Sequence, residues 1–210
     1  MLKNTFKLIW VTLVSMILFT IITGLIYPLV ITGIAKVFFP VQAQGSLIDK
    51  NGNYTTNEKD AVGSALIGQT FDQNKYFWGR LSATENLAGN ASLPYNAASS
   101  SGSNLGPSNP QLLSNVNARI QALQQADLEN KSSIPVDLVT SSASGLDPDE
   151  SVAAAEYQLD RVAAARNVSP DKIEALIRQY TTGPYFGFMG EKVVNVLELN
   201  LALDREYPVH

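Results

Sequence analysis

Between Leu8 and Ala35 the chain carries no charged residue, and Ile, Leu, Val and Phe dominate the run. About 20 apolar residues suffice to cross a hydrocarbon core of ~30 Å as a helix, the one single-segment form that satisfies its own backbone polar groups in lipid. The run therefore reads as one transmembrane helix. A cleavable leader is the alternative, since Val41-Gln42-Ala43 faintly resembles a small-residue cleavage site, but the apolar part of a leader spans only about 7 to 15 residues. Lys3 and Lys7 precede the span with no acid nearby, while Lys36 and then Asp49 and Lys50 follow it. The positive-inside rule then leaves the N-terminus in the cytoplasm and the bulk of the chain outside it. Trp10 near one end, and Tyr27, Phe38 and Phe39 towards the other, suit the two interfacial belts. The organisation expected is a cytoplasmic N-terminus and membrane helix over 1–36, a juxtamembrane linker over 37–44 and one extracytoplasmic α+β domain over 45–210.

Inside the span, Thr12, Ser15 and Thr23 share a face at 100° per residue, and Thr20 with Gly24 makes a small-xxx-small pair that lets another helix approach closely. Single Thr and Gly residues are also common in spanning helices, so packing and plain anchoring both stand. Pro28 removes a backbone donor and clashes with the carbonyl of Gly24, which predicts a kink or the start of the helix's outer end.

The absence of cysteine excludes disulfides, thiolate metal sites and a cysteine nucleophile, and the single histidine is the terminal His210. Histidine-based catalysis would depend on that end of the chain. A net charge of -4 excludes the basic footprint of a nucleic-acid binder. After Lys36 come twelve basic and all nineteen acidic residues, so the outer part carries about -7, enough to attract cations or simply to keep a domain soluble. Asp49, Glu58, Asp60 and Glu85 are the exposed acids that would draw a cation.

Residues 45–110 mix Gly, Asn, Ser and aromatics with short apolar pieces such as Ala65-Leu66-Ile67 and Tyr76-Phe77-Trp78, which predicts short strands and ordered loops. The stretch from Tyr95 to Asn104 has linker composition, with Tyr95 and Leu105 placed to tie it down. Asn109 and Pro110 open a helix to about Ala126 with Leu112, Leu113, Val116, Ile120 and Leu123 on its apolar face. Val136–Thr140 reads as a strand. Asp147, Pro148 and Glu150 read as the cap and first turn of a second helix that ends near Arg166, with Val152, Ala155, Leu159, Val162 and Ala163 inward. Ser169 and Pro170 start a third helix with Ile173, Leu176, Ile177 and Tyr180 inward, stopped by Thr182-Gly183-Pro184. Val193–Leu203 fits a strand or a short helix.

No phosphate loop, nucleophile elbow or zinc spacing occurs. The acids Asp147, Asp149 and Glu150 are best used at a helix start, where they meet the dipole. Serines 99–103 lack a positioned base, since Lys75 or Lys131 would reach them only by accident of folding. The Asn and Ser oxygens of 96–109 suit turns more than a hard cation. No catalytic or metal site is assigned.

Several strings occur in order behind the single span: Gly63-Ser64-Ala65-Leu66-Ile67-Gly68-Gln69, Tyr76-Phe77-Trp78-Gly79-Arg80, Ser103-Asn104-Leu105 with Ser108-Asn109-Pro110, the run from Asp137 to Pro148, Arg161-Val162-Ala163-Ala164-Ala165-Arg166, and the run from Val194 to Asp204. Together they resemble the C subunit of the bacterial Kdp-type potassium-transporting ATPase over nearly the whole chain. Leu81 and Ala97 stand where that family usually has proline, the serine loop is longer, and Glu150 occupies a commonly apolar position.

The resemblance implies a non-catalytic subunit of a bacterial cell-membrane pump, with a potassium-channel-like subunit, a P-type ATPase subunit and a small membrane subunit as partners besides lipid. ATP and potassium ion would then act at the level of the complex, with no cofactor held by this chain. It also implies a catalytic chaperone that raises the ATPase subunit's affinity for ATP, through Gln158 and Arg161. By helical spacing those two flank the apolar face of a helix placed outside the cytoplasm, which points to surface hydrogen bonding or partner contact. An assembly clamp, a funnel for cations, a stand-alone anchored binding domain and an exported hydrolase are the readings to be separated.

Overall fold

The computed structural model describes residues 2–209, with side chains from Thr5 onward. Met1, His210 and the side chain of Lys3 lie outside the described residues. The chain divides into two units, one up to Ser46 and one from Leu47.

The first unit is helical: α1 (Leu2–Ile21), a π-helical turn (Ile22–Ile26), α2 (Tyr27–Phe38) and the short α3 (Pro40–Ala43). From Thr5 to Phe38 it is apolar enough and long enough to cross a membrane, with a mean hydropathy of 2.4 over an 18-residue stretch in which no residue is buried. At 1.5 Å per residue such a helix reaches about 50 Å, beyond the hydrocarbon core at one or both ends. Pro28 lies in the first turn of α2, and helix continues beyond it to Phe38. The missing donor is absorbed one turn earlier, where the Tyr27 N–H donates to the Ile22 carbonyl in the wider π spacing. Thr20 and Thr23 return their hydroxyls to the carbonyls of Met16 and Phe19 at 2.8 and 2.7 Å, so neither leaves an unmet hydroxyl on the apolar helix. The space beside Gly24 is open: an added Cβ would meet only Thr20 Cγ2 at 4.0 Å.

The second unit mixes helices with two small antiparallel sheets. Strands β1 (Leu47–Asp49), β2 (Tyr54–Thr55) and β3 (Ala61–Ser64) form one, in the order β2-β1-β3. Strands β4 (Asp149–Ser151), β5 (Thr181–Thr182) and β6 (Val193–Asn195) form the other, in the order β4-β6-β5. Between them run α4 (Pro110–Ala126), α5 (Val136–Val139), α6 (Val152–Arg166), α7 (Pro170–Gln179) and, last, α8 (Val196–Glu206). Asn109 caps α4 by accepting from the Gln111 N–H, with Pro110 at the first position. Leu123 is buried, but Leu113 is exposed rather than inward. Helix α6 ends at Asn167 in the left-handed conformation (φ 55°), and the Val168 N–H reaches back to Ala163.

Three expectations are overturned. Val136–Val139 is one helical turn, not a strand: Pro135 leads into it, Thr140 returns its hydroxyl to the Val136 carbonyl, and Leu138 and Val139 are buried by the turn. Burial outweighs β-branched propensity there. Asp147 and Glu150 do not open α6. Residues 149–151 pair with β6, and the cap is Ser151, whose hydroxyl accepts from the Ala154 N–H. Val193–Leu203 is neither strand nor helix alone, since β6 turns into α8 at Asn195, which caps it through Glu198.

The linker-like stretch is pinned. Tyr95 donates its hydroxyl to the Arg80 carbonyl, Asn96 to that of Glu85, and Ser101 N–H to that of Ser144. Gly145 sits against this loop at φ +68°, and a Cβ there would lie 2.5 Å from both the Ser101 carbonyl oxygen and Thr84 Cγ2. Gly145→Ala is therefore expected to cost about 2 kcal/mol or more through left-handed strain and overpacking, measured as a lowered thermal midpoint of the detergent-solubilised chain. An unchanged midpoint would show that the loop yields.

Candidate functional site

After a turn at 73–76, closed by the Tyr76 N–H on the Gln73 carbonyl, residues 77–79 cross the interior of the domain without a strand partner, and Phe77 and Trp78 point into two different cores. Phe77 enters the cluster built from α6, α7 and α8, including Val162, Ile177 and Leu199. Trp78 enters the other, with Leu123, Leu138 and Tyr157. Alternation is the signature of extended backbone, and buried extended backbone must find partners for every N–H and C=O.

Two side-chain amides provide them. Asn200 on α8 accepts from the Phe77 N–H and donates to the Phe77 carbonyl, both at 2.9 Å. Gln158 on α6 accepts from the Trp78 N–H at 2.8 Å and donates to its carbonyl at 3.2 Å. Each amide thus stands in for one residue of a neighbouring strand. Arg161 donates to the carbonyls of Asn74 and Tyr76 at 2.7 and 3.0 Å and to Gln158 Oε1 at 2.7 Å. Arg166 takes the Lys75 carbonyl at 2.7 Å and pairs with Asp204 at 2.8 Å. Arg119 on α4 reaches the carbonyls of Leu138 and Gly79 at 2.9 Å. The guanidinium carbons of Arg119 and Arg161 lie 5.2 and 4.7 Å from the Trp78 ring centre, within cation–π range.

Gln158 is 1% exposed and Arg161 6%. The surface placement expected for them is wrong because α6 is buried on both sides, its alanines letting α7 and the Trp78 core approach together. Burial pulls the Arg161 guanidinium down to about 10, with Asp127 and Glu150 opposing, so it stays charged at neutral pH. Glu150 on β4 completes the cluster. One carboxylate oxygen accepts from Gln158 Nε2 at 3.0 Å, and the other has no partner although it is buried. Burial, then the Asp137 charge, hold Glu150 well above the usual carboxylate range against Arg161, Arg119 and the Gln158 hydrogen bond.

The four candidate cation-attracting acids are not brought into one array. Asp49 accepts from the N–H groups of Asn51 and Asn53 at a turn, and the Asn53 contact above all holds its pKa low. Asp60 accepts from Asn57, and shares a depression with Asp49 that Lys50 and Lys59 also line. Glu58 is exposed in the turn before β3, and Glu85 is exposed beside the Asn86–Ala91 loop. Among the described residues no group of three or more acidic or histidine side chains is arranged to hold a metal ion.

A family model described as the K+-transporting ATPase, c chain, matches residues 9–205, which includes both the span and the clasp around residues 74–79. The chain belongs to the KdpC family. A potassium-transporting ATPase KdpC subunit from Burkholderia orbicola is 54% identical over 197 residues, 94% of this chain and 95% of the relative. Those from Ralstonia nicotianae and Herpetosiphon aurantiacus are 55% and 54% identical over 88% and 92% of this chain and 84% and 93% of their own. The KdpC chain described here therefore aligns with its relatives across both units rather than one.

Asn200, Arg119 and Arg166 escaped the reading of the sequence as site residues. A signal existed for the first: Asn200 sits four residues from Val196 and three from Leu203, on the apolar face of its helix. For the arginines none existed, since their partners lie 19 to 91 residues away along the chain.

Proposed function

We propose that this KdpC chain is a non-catalytic assembly subunit of a potassium-importing pump, spanning the membrane once with its N-terminus cytoplasmic and its domain outside. It would clamp a potassium-channel-like subunit, a P-type ATPase subunit and a small membrane subunit together. The family match over residues 9–205 carries the reading, and the clasp supports it, because its polar groups are spent on the chain's own backbone instead of converging on a substrate. Gln158 and Arg161 serve to hold residues 74–79. An effect on the ATP affinity of the complex would then pass through contacts that differ between pump states, not through direct contact of these side chains with nucleotide. The lysines beside Asp49 and Asp60 favour the clamp over the cation funnel.

The test is affinity purification of the tagged chain from membranes in mild detergent. Other subunits of the pump should arrive with it, and Thr20→Leu with Gly24→Leu should reduce their recovery by blocking close helix approach. Recovery of the wild-type chain alone would overturn the assembly reading, and undiminished recovery with the double variant would overturn helix docking through this face.

A further inference from the structure

The loop from Gly183 to Lys192 joins β5 to β6, and no charged residue occurs from Gln179 to Gly190. Its tip presents Tyr185, Phe186, Phe188 and Met189 to solvent at 77, 87, 77 and 53% exposure. Four large apolar side chains in five positions are not an accident of a turn, because a turn needs only small or polar residues. Nor is the tip slack. The Tyr185 N–H donates to the Met189 carbonyl at 2.8 Å and the Met189 N–H returns to the Tyr185 carbonyl at 2.9 Å, with Gly187 N–H on the Pro184 carbonyl at 3.1 Å. Phe186 itself is left-handed, at φ 54°, a conformation that glycine or asparagine adopts at lower cost. The isolated domain therefore bears both backbone strain and hydrated aromatic surface without recovering either.

We propose that this tip is an anchor that inserts into an apolar socket on another subunit of the same pump. The inference rests on the assembly reading above and names the surface that performs it. Three observations favour a protein socket, the first and last of them over a lipid surface. The tip is closed by its own hydrogen bonds, and fixed presentation lowers the ordering cost of entering a shaped pocket. Aromatic and methionine side chains are the residues enriched at interface centres. The loop also runs directly into Glu191 and Lys192, which line a cleft of about 480 Å³ together with Arg80, Asp147 and Asp149. A charged cleft of both signs beside an apolar anchor supplies the polar rim that fixes register, whereas its acids would repel anionic lipid headgroups.

The experiment uses the full chain expressed with the rest of the pump. Phe186→Gly suits the local backbone and Phe188→Ser removes the second ring, so the double variant should keep the thermal midpoint of the wild-type chain. Recovery of the other subunits on the tagged chain should fall about tenfold or more, the effect of losing an interface hot spot. A photoreactive phenylalanine analogue at position 186 should crosslink to one pump subunit. Undiminished recovery, or crosslinks to lipid alone, would overturn the anchor. If the wild-type chain recovers no subunits, the assembly reading fails instead, so the two failures are distinct. A fall in recovery accompanied by a lowered midpoint would also count against the anchor, by assigning the tip to the domain's own stability.

Discussion

Gln158→Leu is expected to lower the stability of the domain by about 3 to 5 kcal/mol, the sum for two buried backbone groups left unsatisfied at about 1 to 3 kcal/mol each and a weakened buried cation. The substitution keeps a good helix former of similar volume on α6, so neither propensity nor a cavity accounts for the loss. What it removes is the acceptor for the Trp78 N–H and for Arg161, and the donor to the Trp78 carbonyl. The Trp78 N–H and carbonyl are then buried without a partner, and the Arg161 charge loses one of its three acceptors. At about 2 to 4 °C per kcal/mol for a domain of this size, the midpoint should fall by roughly 10 °C. Thermal unfolding of the full chain in detergent, followed by the fluorescence of Trp78 in a Trp10→Phe background, reads it directly. A fall below about 1 kcal/mol would mean that residues 74–79 find other partners and that the clasp is not what holds them.

Glu150→Gln should have the opposite sign. Its carboxyl is raised well above the usual range by burial and by Asp137, so the folded state holds this proton to a higher pH than the unfolded chain does, where glutamate titrates near 4.3. The stabilisation from proton retention is complete below the unfolded value and is lost as pH rises through the interval up to the raised folded value. Glutamine keeps the shape and the oxygen facing Gln158 Nε2 but never ionises. Relative to wild type it should therefore gain stability with rising pH across that interval and hold the gain at neutral pH, by about 1 to 3 kcal/mol, the cost of a buried group left unsatisfied. The comparison is of variant against wild type at each pH, because Asp49, whose pKa is lowered, contributes the opposite slope to both. Parallel midpoint curves from pH 4 to 8 would sink the prediction and place water or another donor on the free oxygen.

The anchor and the clasp act at different levels. The clasp uses its polar groups inside the domain, so variants there change stability first and assembly only as a consequence. Phe186 and Phe188 touch little of their own domain, so variants there should change assembly alone. The contrast between Gln158→Leu and the Phe186→Gly, Phe188→Ser pair separates a subunit that is unfolded from one that is folded and unattached.

Features that depend on near neighbours along the chain were legible before any tertiary contact. The apolar run from Leu8 to Ala35 determined a long helix, because hydropathy and length act along the chain. Asn109 with Pro110 marked one helix start through a side-chain cap and a fixed φ, and Pro170 another through its fixed φ, since Ser169 makes no side-chain capping bond; both effects act within one turn. The ordered strings from Gly63 to Asp204 were enough to reach the family. Tertiary structure decided the rest. Ser151 rather than Asp147 caps α6 because β6 captures residues 149–151, a pairing across more than 40 residues of chain. Val136–Val139 turns helical because Leu138 and Val139 meet a core whose other members lie far along the chain. Gln158 and Arg161 read as surface residues because periodicity describes one apolar face, and α6 is enclosed on two. Their burial is possible only because the unpaired backbone of residues 74–79 arrives beside them, and no local rule of spacing announces which distant backbone a buried polar side chain is there to satisfy.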